Sequence, residues 1–183
     1  MAKVYVFLAD GFEEVEGLTT VDLLRRAEVE VVMTSIMGRH EVTGANGITV
    51  KADKLFEDID VSDADMLILP GGQPGTSNLG AYKPLTDLLM KWNAEGGKLA
   101  AICAAPTVFG GLGILKGRRA TCYPGCEHGL DGAITSEDRV VTDGNITTSR
   151  GVGTAISFSL ELIAILTDEK TADTIKASIV YGH

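Results

Sequence analysis

Residues 101–106, AICAAP, place a cysteine on a turn between a short apolar strand and a helix. The run before the cysteine, residues 98–102, follows a Gly-Gly break and predicts a buried strand. Pro106 favours the first helical turn, where its missing N–H costs nothing. Cys103 has small residues two places before and after it, which is the spacing of a nucleophile elbow with cysteine in place of serine. The pattern predicts a helix N-terminus that favours the reactive thiolate, although an inert core cysteine would fit the same local sequence.

Apolar runs on both sides of this turn predict an α/β fold. Residues 3–9 form a continuous, β-rich apolar run, which is typical of a strand buried on both faces of a parallel sheet. Residues 29–35 predict the second strand, and residues 65–69 predict another buried strand. Helical spacing of apolar residues follows the first run and recurs at 83–95 and after residue 154. This alternation predicts a mostly parallel sheet with helices on both faces. No linker or repeat divides residues 1–183, so we expect a single domain.

Shorter patterns predict the remaining elements. Residues 36–54 contain several turn glycines and predict a hairpin-like excursion after the second strand. Asp143-Gly144 predicts the turn of a second hairpin between residues 139–141 and 145–148. We also expect a short strand at 119–122, a loop at 123–130 and a last helix at about 168–177.

Composition limits the classes of function. The chain has 183 residues, a net charge of −9 and a pI near 4.8, with no basic patch beyond two Arg-Arg pairs, so nucleic acid is not an expected partner. No apolar run approaches the roughly 20 residues that span a membrane, and no signal-peptide pattern is present. The three cysteines do not form a disulfide framework. These features together predict a cytoplasmic protein.

Two motifs follow predicted strands and have both structural and functional interpretations. Glu13, Glu14 and Glu16 come after the first strand, where acids complement a helix dipole but also adjoin the crevice that holds active sites in open α/β sheets. Gly71 and Gly72 follow the strand at 65–69, where glycines allow a ligand close to the backbone or simply form a turn. The local sequence does not choose between these alternatives.

The loop at 122–128 invites a metal interpretation that we do not favour. Cys122, Cys126 and His128 supply three soft ligands, whereas structural zinc wants four, so no metal is expected. The loop thiols have a second interpretation, as resolving partners for an oxidised Cys103. Of the three histidines only His128 is plausibly placed as a base, since His40 lies in a turn region and His183 at the terminus. No Walker A or G-x-G-x-x-G pattern occurs, and no cofactor is expected.

Five motifs in fixed order resemble the ThiJ/PfpI superfamily, in particular the branch of the parkinsonism-associated protein deglycase and its bacterial relatives. They are DGFEEVE at 10–16, DLLRRA at 22–27, LPGG at 69–72, AAICAAPT at 100–107 and TSRGVGT at 148–154. The combination is specific and covers nearly the whole chain. The resemblance implies a flavodoxin-like three-layer sandwich and a homodimer.

The resemblance also assigns roles to individual residues. It implies that Cys103 is the reactive cysteine and that Glu16, in protonated form, donates a hydrogen bond to the sulfur. It implies an oxyanion-binding set of backbone N–H groups, those of Gly71, Gly72 and Ala104. The chain departs from the branch at Tyr123, where relatives have a histidine before the proline, and this removes an imidazole that would assist proton transfer. Arg26 matches an anion-binding arginine near the dimer interface, but the second arginine of that pair corresponds to about Asn46.

Three functions remain in competition. The first is a stress-response enzyme of glyoxalase or deglycase type that acts on α-oxoaldehydes such as methylglyoxal, or on glycated protein, with Cys103 as nucleophile and Glu16 as proton shuttle. The second is a redox sensor or chaperone in which Cys103 becomes a sulfinate without any turnover. The third, a cysteine peptidase or amidotransferase-like hydrolase, is disfavoured because Ala104 stands where the peptidase branch has histidine. Whether the protein is an enzyme stays open at this point.

Overall fold

A computed structural model describes residues 1–182, and His183 lies outside the described residues. A central sheet of seven strands has the order β10-β11-β7-β6-β1-β2-β5. All neighbours are parallel except β10 and β11, which form the predicted antiparallel hairpin. The bounds of these strands are β1 (Lys3–Leu8), β2 (Glu30–Ser35), β5 (Lys54–Leu55), β6 (Met66–Leu69), β7 (Lys98–Ile102), β10 (Val140–Asp143) and β11 (Ile146–Ser149).

Six α-helices cover the two faces of this sheet. Their bounds are α1 (Glu14–Arg26), α2 (Gly75–Ala81), α3 (Lys83–Ala94), α4 (Pro106–Gly111), α5 (Ala155–Leu166) and α6 (Glu169–Ser178). Apolar side chains of α1, α5 and α6 pack on one face, and those of α2, α3 and α4 pack on the other. The result is the flavodoxin-like three-layer arrangement that the sequence predicted. None of the described helices is both long and apolar enough to cross a bilayer.

Strand β1 shows why the sheet is buried on both sides. Val4, Val6 and Leu8 belong to the apolar cluster beneath α1 and α5, whereas Tyr5 and Phe7 belong to the opposite cluster. Successive side chains of a strand point to opposite faces, so a strand covered twice must be apolar at every position. The continuous apolar run in the sequence reflects this double coverage.

Three peripheral elements refine the predictions. Strands β3 (Glu41–Thr43) and β4 (Thr49–Lys51) form the expected hairpin within 36–54. The predicted strand at 119–122 shortens to β8 (Arg119–Ala120), which pairs with β9 (Ile134–Thr135) in a separate two-stranded sheet. Helix α2 was not predicted, because its segment, GTSNLGA, has glycines and polar residues instead of an apolar periodicity.

The topology brings four chain segments to one edge of the sheet. Strands β1, β6, β7 and β11 are adjacent and parallel, so their carboxyl ends lie side by side. The start of α1, the Gly71-Gly72 turn, Cys103 and the segment after Ser149 follow those ends directly. This is the crevice in which open α/β sheets place ligand sites.

Candidate active site

Cys103 occupies the strained turn that the elbow pattern predicted. Its φ is +66°, in the left-handed region that a residue with a side chain rarely adopts. Its N–H donates to the Ser149 carbonyl at 3.0 Å, and its own carbonyl accepts from the Tyr123 N–H at 2.7 Å. These two hydrogen bonds hold the strained residue between β11 and the loop after β8. The sulfur-bearing residue is therefore fixed by its backbone, and its side chain is partly exposed.

Glu16 lies fully buried beside Cys103. Its Oε2 accepts a hydrogen bond from the Gly71 N–H at 3.0 Å. A Cβ on Gly71 would stand 2.5 Å from both Glu16 Oε2 and Cys103 Cβ, so only glycine fits between them. The other oxygen, Oε1, is buried and has no hydrogen-bond partner among residues 1–182. A buried acceptor without a donor is costly, and a proton on the carboxyl group relieves that cost.

The protonation of the two groups is coupled. Burial raises the pKa of Glu16 to about 7, although hydrogen bonds from Cys103 and Gly71 oppose the rise. Burial also raises the pKa of the Cys103 thiol to about 12, and the negative charge on Glu16 adds to this rise. The net shift is therefore upward, although the backbone N–H groups next to the sulfur lower the Cys103 pKa, as the sequence predicts. Near neutral pH the thiol therefore keeps its proton, while the Glu16 carboxyl group exchanges its proton with solvent.

Backbone N–H groups of Gly72 and Ala104 form the oxyanion side of the site. Both favour the ionised sulfur and lower the Cys103 pKa, but burial and Glu16 outweigh them. Gly71 does not belong to this set, because its N–H is already bound to Glu16. Two of the three predicted donors thus face the sulfur, and the third positions the acid.

The Tyr123 ring forms the outer wall of the site. The Tyr123 ring and Glu16 both lie next to Gly151. A Cβ on Gly151 would lie 3.3 Å from Tyr123 Cδ2 and 3.8 Å from Glu16 Oε1. The ring and the unpartnered carboxyl oxygen therefore approach the same point of the backbone. Tyr123 is 51% exposed, so the ring also borders solvent. Sequence reasoning placed Tyr123 near the site but did not single out Gly151, whose missing side chain makes the approach possible.

Comparisons with known proteins agree with this geometry. The model of the DJ-1/PfpI family matches residues 2–165. This chain belongs to the DJ-1/PfpI family. A Parkinson disease protein 7 homolog of Danio rerio is 34% identical over 182 residues, covering 97% of this chain and 96% of that protein. A deglycase of Pyrococcus abyssi is 32% identical over 166 residues, covering 90% of this chain and 99% of that protein.

Plant relatives and solved structures extend the comparison. Protein DJ-1 homolog B of Arabidopsis thaliana is 39% identical over 97% of this chain, but the chain covers only 41% of that protein. The chain thus spans less than half the length of two plant DJ-1 relatives it matches. The structure of Toxoplasma gondii DJ-1 superimposes with a TM-score of 0.95 at 36% identity, with both chains fully covered. The DJ-1/PfpI fold therefore accounts for the whole described chain.

The three acids of the DJ-1/PfpI motif separate into different roles. Glu13 caps α1, and its side chain accepts from the Val15 N–H at 3.3 Å. Glu14 is buried but faces the β3–β4 hairpin, where Asn46 donates from its backbone N–H at 2.8 Å and from its side chain at 2.9 Å. Burial alone would raise the Glu14 pKa, but these hydrogen bonds together lower it. Only Glu16 reaches Cys103.

Two predicted contacts do not join the site. Arg26 lies at the far end of α1, about 15 Å along the helix axis from Glu16. Its Nε donates to Asp22 at 2.8 Å, so Arg26 does not contact the Cys103 site within this chain. Its match to an anion-binding arginine near a dimer interface stays a prediction. The ring of His128 interacts with the carbonyl of Gly125 in its own loop at 3.0 Å, and no hydrogen bond links it to Cys103 or Glu16. Within residues 1–182, no three histidine, cysteine or acidic side chains cluster closely enough to hold a metal ion.

Proposed function

We propose that this protein is a stress-response enzyme of DJ-1 type that converts α-oxoaldehydes, or the adducts they form on proteins, into hydroxy acids. The observation that carries the proposal is the buried Glu16 Oε1, which lacks a partner and lies beside the strained cysteine. A carboxyl group with a pKa near neutrality both takes and returns protons at physiological pH. The names of the Pyrococcus abyssi deglycase and of the DJ-1 relatives support the same class of function.

The first step in this proposal activates the thiol. The Glu16 carboxylate takes the Cys103 proton, and the thiolate attacks the aldehyde carbon to form a carbon–sulfur bond. The N–H groups of Gly72 and Ala104 are directed at the sulfur, so they also reach the oxyanion that forms on the adjacent carbon. Glu16 then returns its proton to that oxygen. The product is a neutral hemithioacetal, and Glu16 is again a carboxylate.

The second step moves a proton between two carbons. The Glu16 carboxylate removes the proton from the hemithioacetal carbon to give an enediolate, and then delivers that proton to the neighbouring carbon. The hydroxyl proton on the first carbon passes to the oxygen of the second carbon, which yields an α-hydroxy thioester. Water then cleaves the thioester and releases the hydroxy acid and the Cys103 thiol. The sum is one oxoaldehyde plus one water giving one hydroxy acid, so no oxidant or cofactor is required.

A homodimer in the cytoplasm completes the proposal. Family membership supports a dimer, and so do two exposed apolar side chains: Val15 is 48% exposed and Ile48 54%. They belong to adjoining segments, because the Ile48 N–H donates to Glu14 at the start of α1. Three free thiols agree with a reducing compartment. A monomeric mass by light scattering would contradict the dimer.

The site also supports the redox-sensor alternative. A sulfinate on Cys103 would accept hydrogen bonds from Gly72, Ala104 and protonated Glu16, the same groups that serve catalysis. The Toxoplasma gondii relative was solved in an oxidized form, which favours this second candidate. The hydrolase alternative has less support, because no histidine hydrogen-bonds Cys103 or Glu16 in the described chain.

The deciding experiment measures lactate formed from methylglyoxal by NMR. We expect turnover by the wild type, and at least hundredfold loss in Cys103→Ser and Glu16→Gln. Cys126→Ser and Glu169→Gln are matched controls, each changing the same residue type away from the reacting atoms. Equal rates in wild type and Cys103→Ser would refute the enzyme. In that case, a gain of two oxygen atoms on Cys103 after mild peroxide would support the sensor instead.

A further inference from the structure

Cys122 and Cys126 form a second pair of thiols outside the active site. They flank the sequence Tyr-Pro-Gly in the loop after β8. Cys122 is 1% exposed and Cys126 is partly exposed, and both are free thiols. Both side chains pack on the apolar cluster beneath α2, α3 and α4. The two sulfurs therefore share one environment, and only one of them is open to solvent.

A tight turn brings the two cysteines together. Pro124 and Gly125 occupy its central positions, and Gly125 has a φ of +92°, as the third residue of a type II turn requires. The Cys126 N–H donates to the Tyr123 carbonyl at 2.9 Å. The Cys122 thiol donates to the same oxygen at 3.4 Å. One carbonyl oxygen thus contacts the sulfur of one cysteine and the backbone of the other.

We propose that Cys122 and Cys126 are a redox modification site that closes to an intramolecular disulfide under hydroperoxides. Cys126 is attacked first because it is the exposed member: its sulfur takes one peroxide oxygen to become a sulfenic acid, and the peroxide leaves as an alcohol or water. The Cys122 sulfur then attacks the Cys126 sulfur, forms the S–S bond and expels water. Two thiols are oxidised by two electrons, and one peroxide is reduced.

The surroundings of the two cysteines make this oxidation slow. Burial raises the pKa of Cys122 to about 12, with nearby Glu127 and Cys126 adding to the rise and Arg150 opposing it. Burial and Glu127 also raise the pKa of Cys126. Protonated thiols react slowly with peroxide. The pair is therefore suited to sustained oxidation, and not to brief pulses.

The disulfide acts on the active site through Tyr123. Bond formation withdraws the Cys122 sulfur from the Tyr123 carbonyl. The N–H of the same residue holds the Cys103 carbonyl at 2.7 Å, and its ring packs on Gly151 beside Glu16. A change in the loop is thus passed to the wall of the catalytic pocket without any contact between the loop sulfurs and Cys103.

The test uses a Cys103→Ser background, so that only the loop thiols can react. Hydrogen peroxide is applied for hours at pH 8, and the protein is then denatured, alkylated and weighed. We expect a loss of two hydrogen atoms, protection of both cysteines and reversal by dithiothreitol. Cys122→Ser and Cys126→Ser, each in the same background, should abolish the protection. Two alkylated cysteines, or disulfide-linked dimers alone, would overturn the proposal.

Two further measurements complete the test. In the chain that retains Cys103, a disulfide between Cys103 and Cys126 would contradict the assigned pairing. In the Cys103→Ser background, the amide resonances of Tyr123 and Gly151 should shift when the disulfide forms. The amide resonance of Gly38, in the loop between β2 and β3, serves as a reference. Disulfide formation without any shift of the Gly151 amide resonance would overturn the proposed coupling between the loop and the active site. Neither result depends on methylglyoxal turnover, so this proposal and the proposed function fail separately.

Discussion

Glu16 and Cys103 meet across a single glycine. Glu16 Oε2 and Cys103 Cβ would each lie 2.5 Å from a Cβ at position 71, and the Ile102 carbonyl oxygen would lie 2.9 Å from it. The acid and the nucleophile are therefore brought together by the absence of one methyl group. The buried acid holds its proton near neutral pH because this close approach takes place away from water.

Gly71→Ala should disrupt both stability and chemistry. The added methyl group meets backbone at Ile102, which cannot move aside, so we expect a loss of about 1–3 kcal/mol in the free energy of unfolding. The displaced Glu16 should also abolish turnover. Urea unfolding and the lactate assay measure the two effects. Gly111→Ala is the matched control, because a Cβ there meets nothing within 4 Å; equal behaviour of the two variants would contradict the predicted clash.

Glu16 should make the protein less stable as the pH rises toward neutrality. Its pKa is raised from the ordinary value of 4.5 to about 7, so between these values the folded state binds more protons than the unfolded state. The stabilisation is complete below about 4.5 and is lost as the pH rises through about 7. The full change is about 3 kcal/mol for a shift of this size.

Denaturant midpoints of wild type and Glu16→Gln at pH 5 and pH 7.5 check this expectation. The wild type should lose stability relative to Glu16→Gln on going to the higher pH, since glutamine carries no titrating proton. Glu13→Gln, at the helix cap, provides the comparison for removing an acid from the same turn. A difference between wild type and Glu16→Gln that is constant with pH would show that Glu16 does not titrate in this range.

Glu16→Gln should shift alkylation of Cys103 to lower pH while it abolishes turnover. The negative charge on Glu16 raises the Cys103 pKa, and a neutral amide removes that contribution. The thiolate fraction rises about tenfold for each unit by which the pKa falls. Iodoacetamide rates from pH 6 to pH 10 would be measured with Cys122 and Cys126 replaced by serine. A shift to higher pH would mean that the protonated carboxyl stabilises the thiolate more than the charge opposes it.

Glu14→Ala should loosen the β3–β4 hairpin without touching the reacting atoms. Glu14 accepts from the backbone N–H groups of Asn46 and Ile48 and from the Asn46 side chain. Its removal deletes three hydrogen bonds to a carboxylate, but Asn46 and Ile48 are exposed and water can replace it as acceptor, so we expect a cost of about 1 kcal/mol. Asn46→Ala removes only one of the three hydrogen bonds and should cost less. Hydrogen exchange across residues 41–51 measures the effect, and equal protection in both variants would contradict it.

Local sequence patterns were sufficient for the sheet, the elbow and the main helices. The double coverage of β1 is visible in the sequence because every side chain of residues 4–9 is buried and apolar. Small residues around Cys103 mark the turn because strand and helix approach closely at that point. Helix α2 could not be predicted from the sequence. Its segment consists mostly of small and polar residues, so its packing on neighbouring elements leaves no periodic apolar pattern.

The chain by itself determined which residue types stand at the carboxyl ends of β1, β6 and β7, and the family motifs pointed to Cys103 and Glu16. Only the tertiary structure decided how they are used. It divided the three acids of α1 among a cap, a hairpin anchor and the site, and it gave the Gly71 N–H to Glu16 instead of to an oxyanion. It also set the direction of the Cys103 pKa shift. The helix dipole is local and can be read from sequence, whereas burial and the charge of Glu16 come from segments distant along the chain, and these dominate.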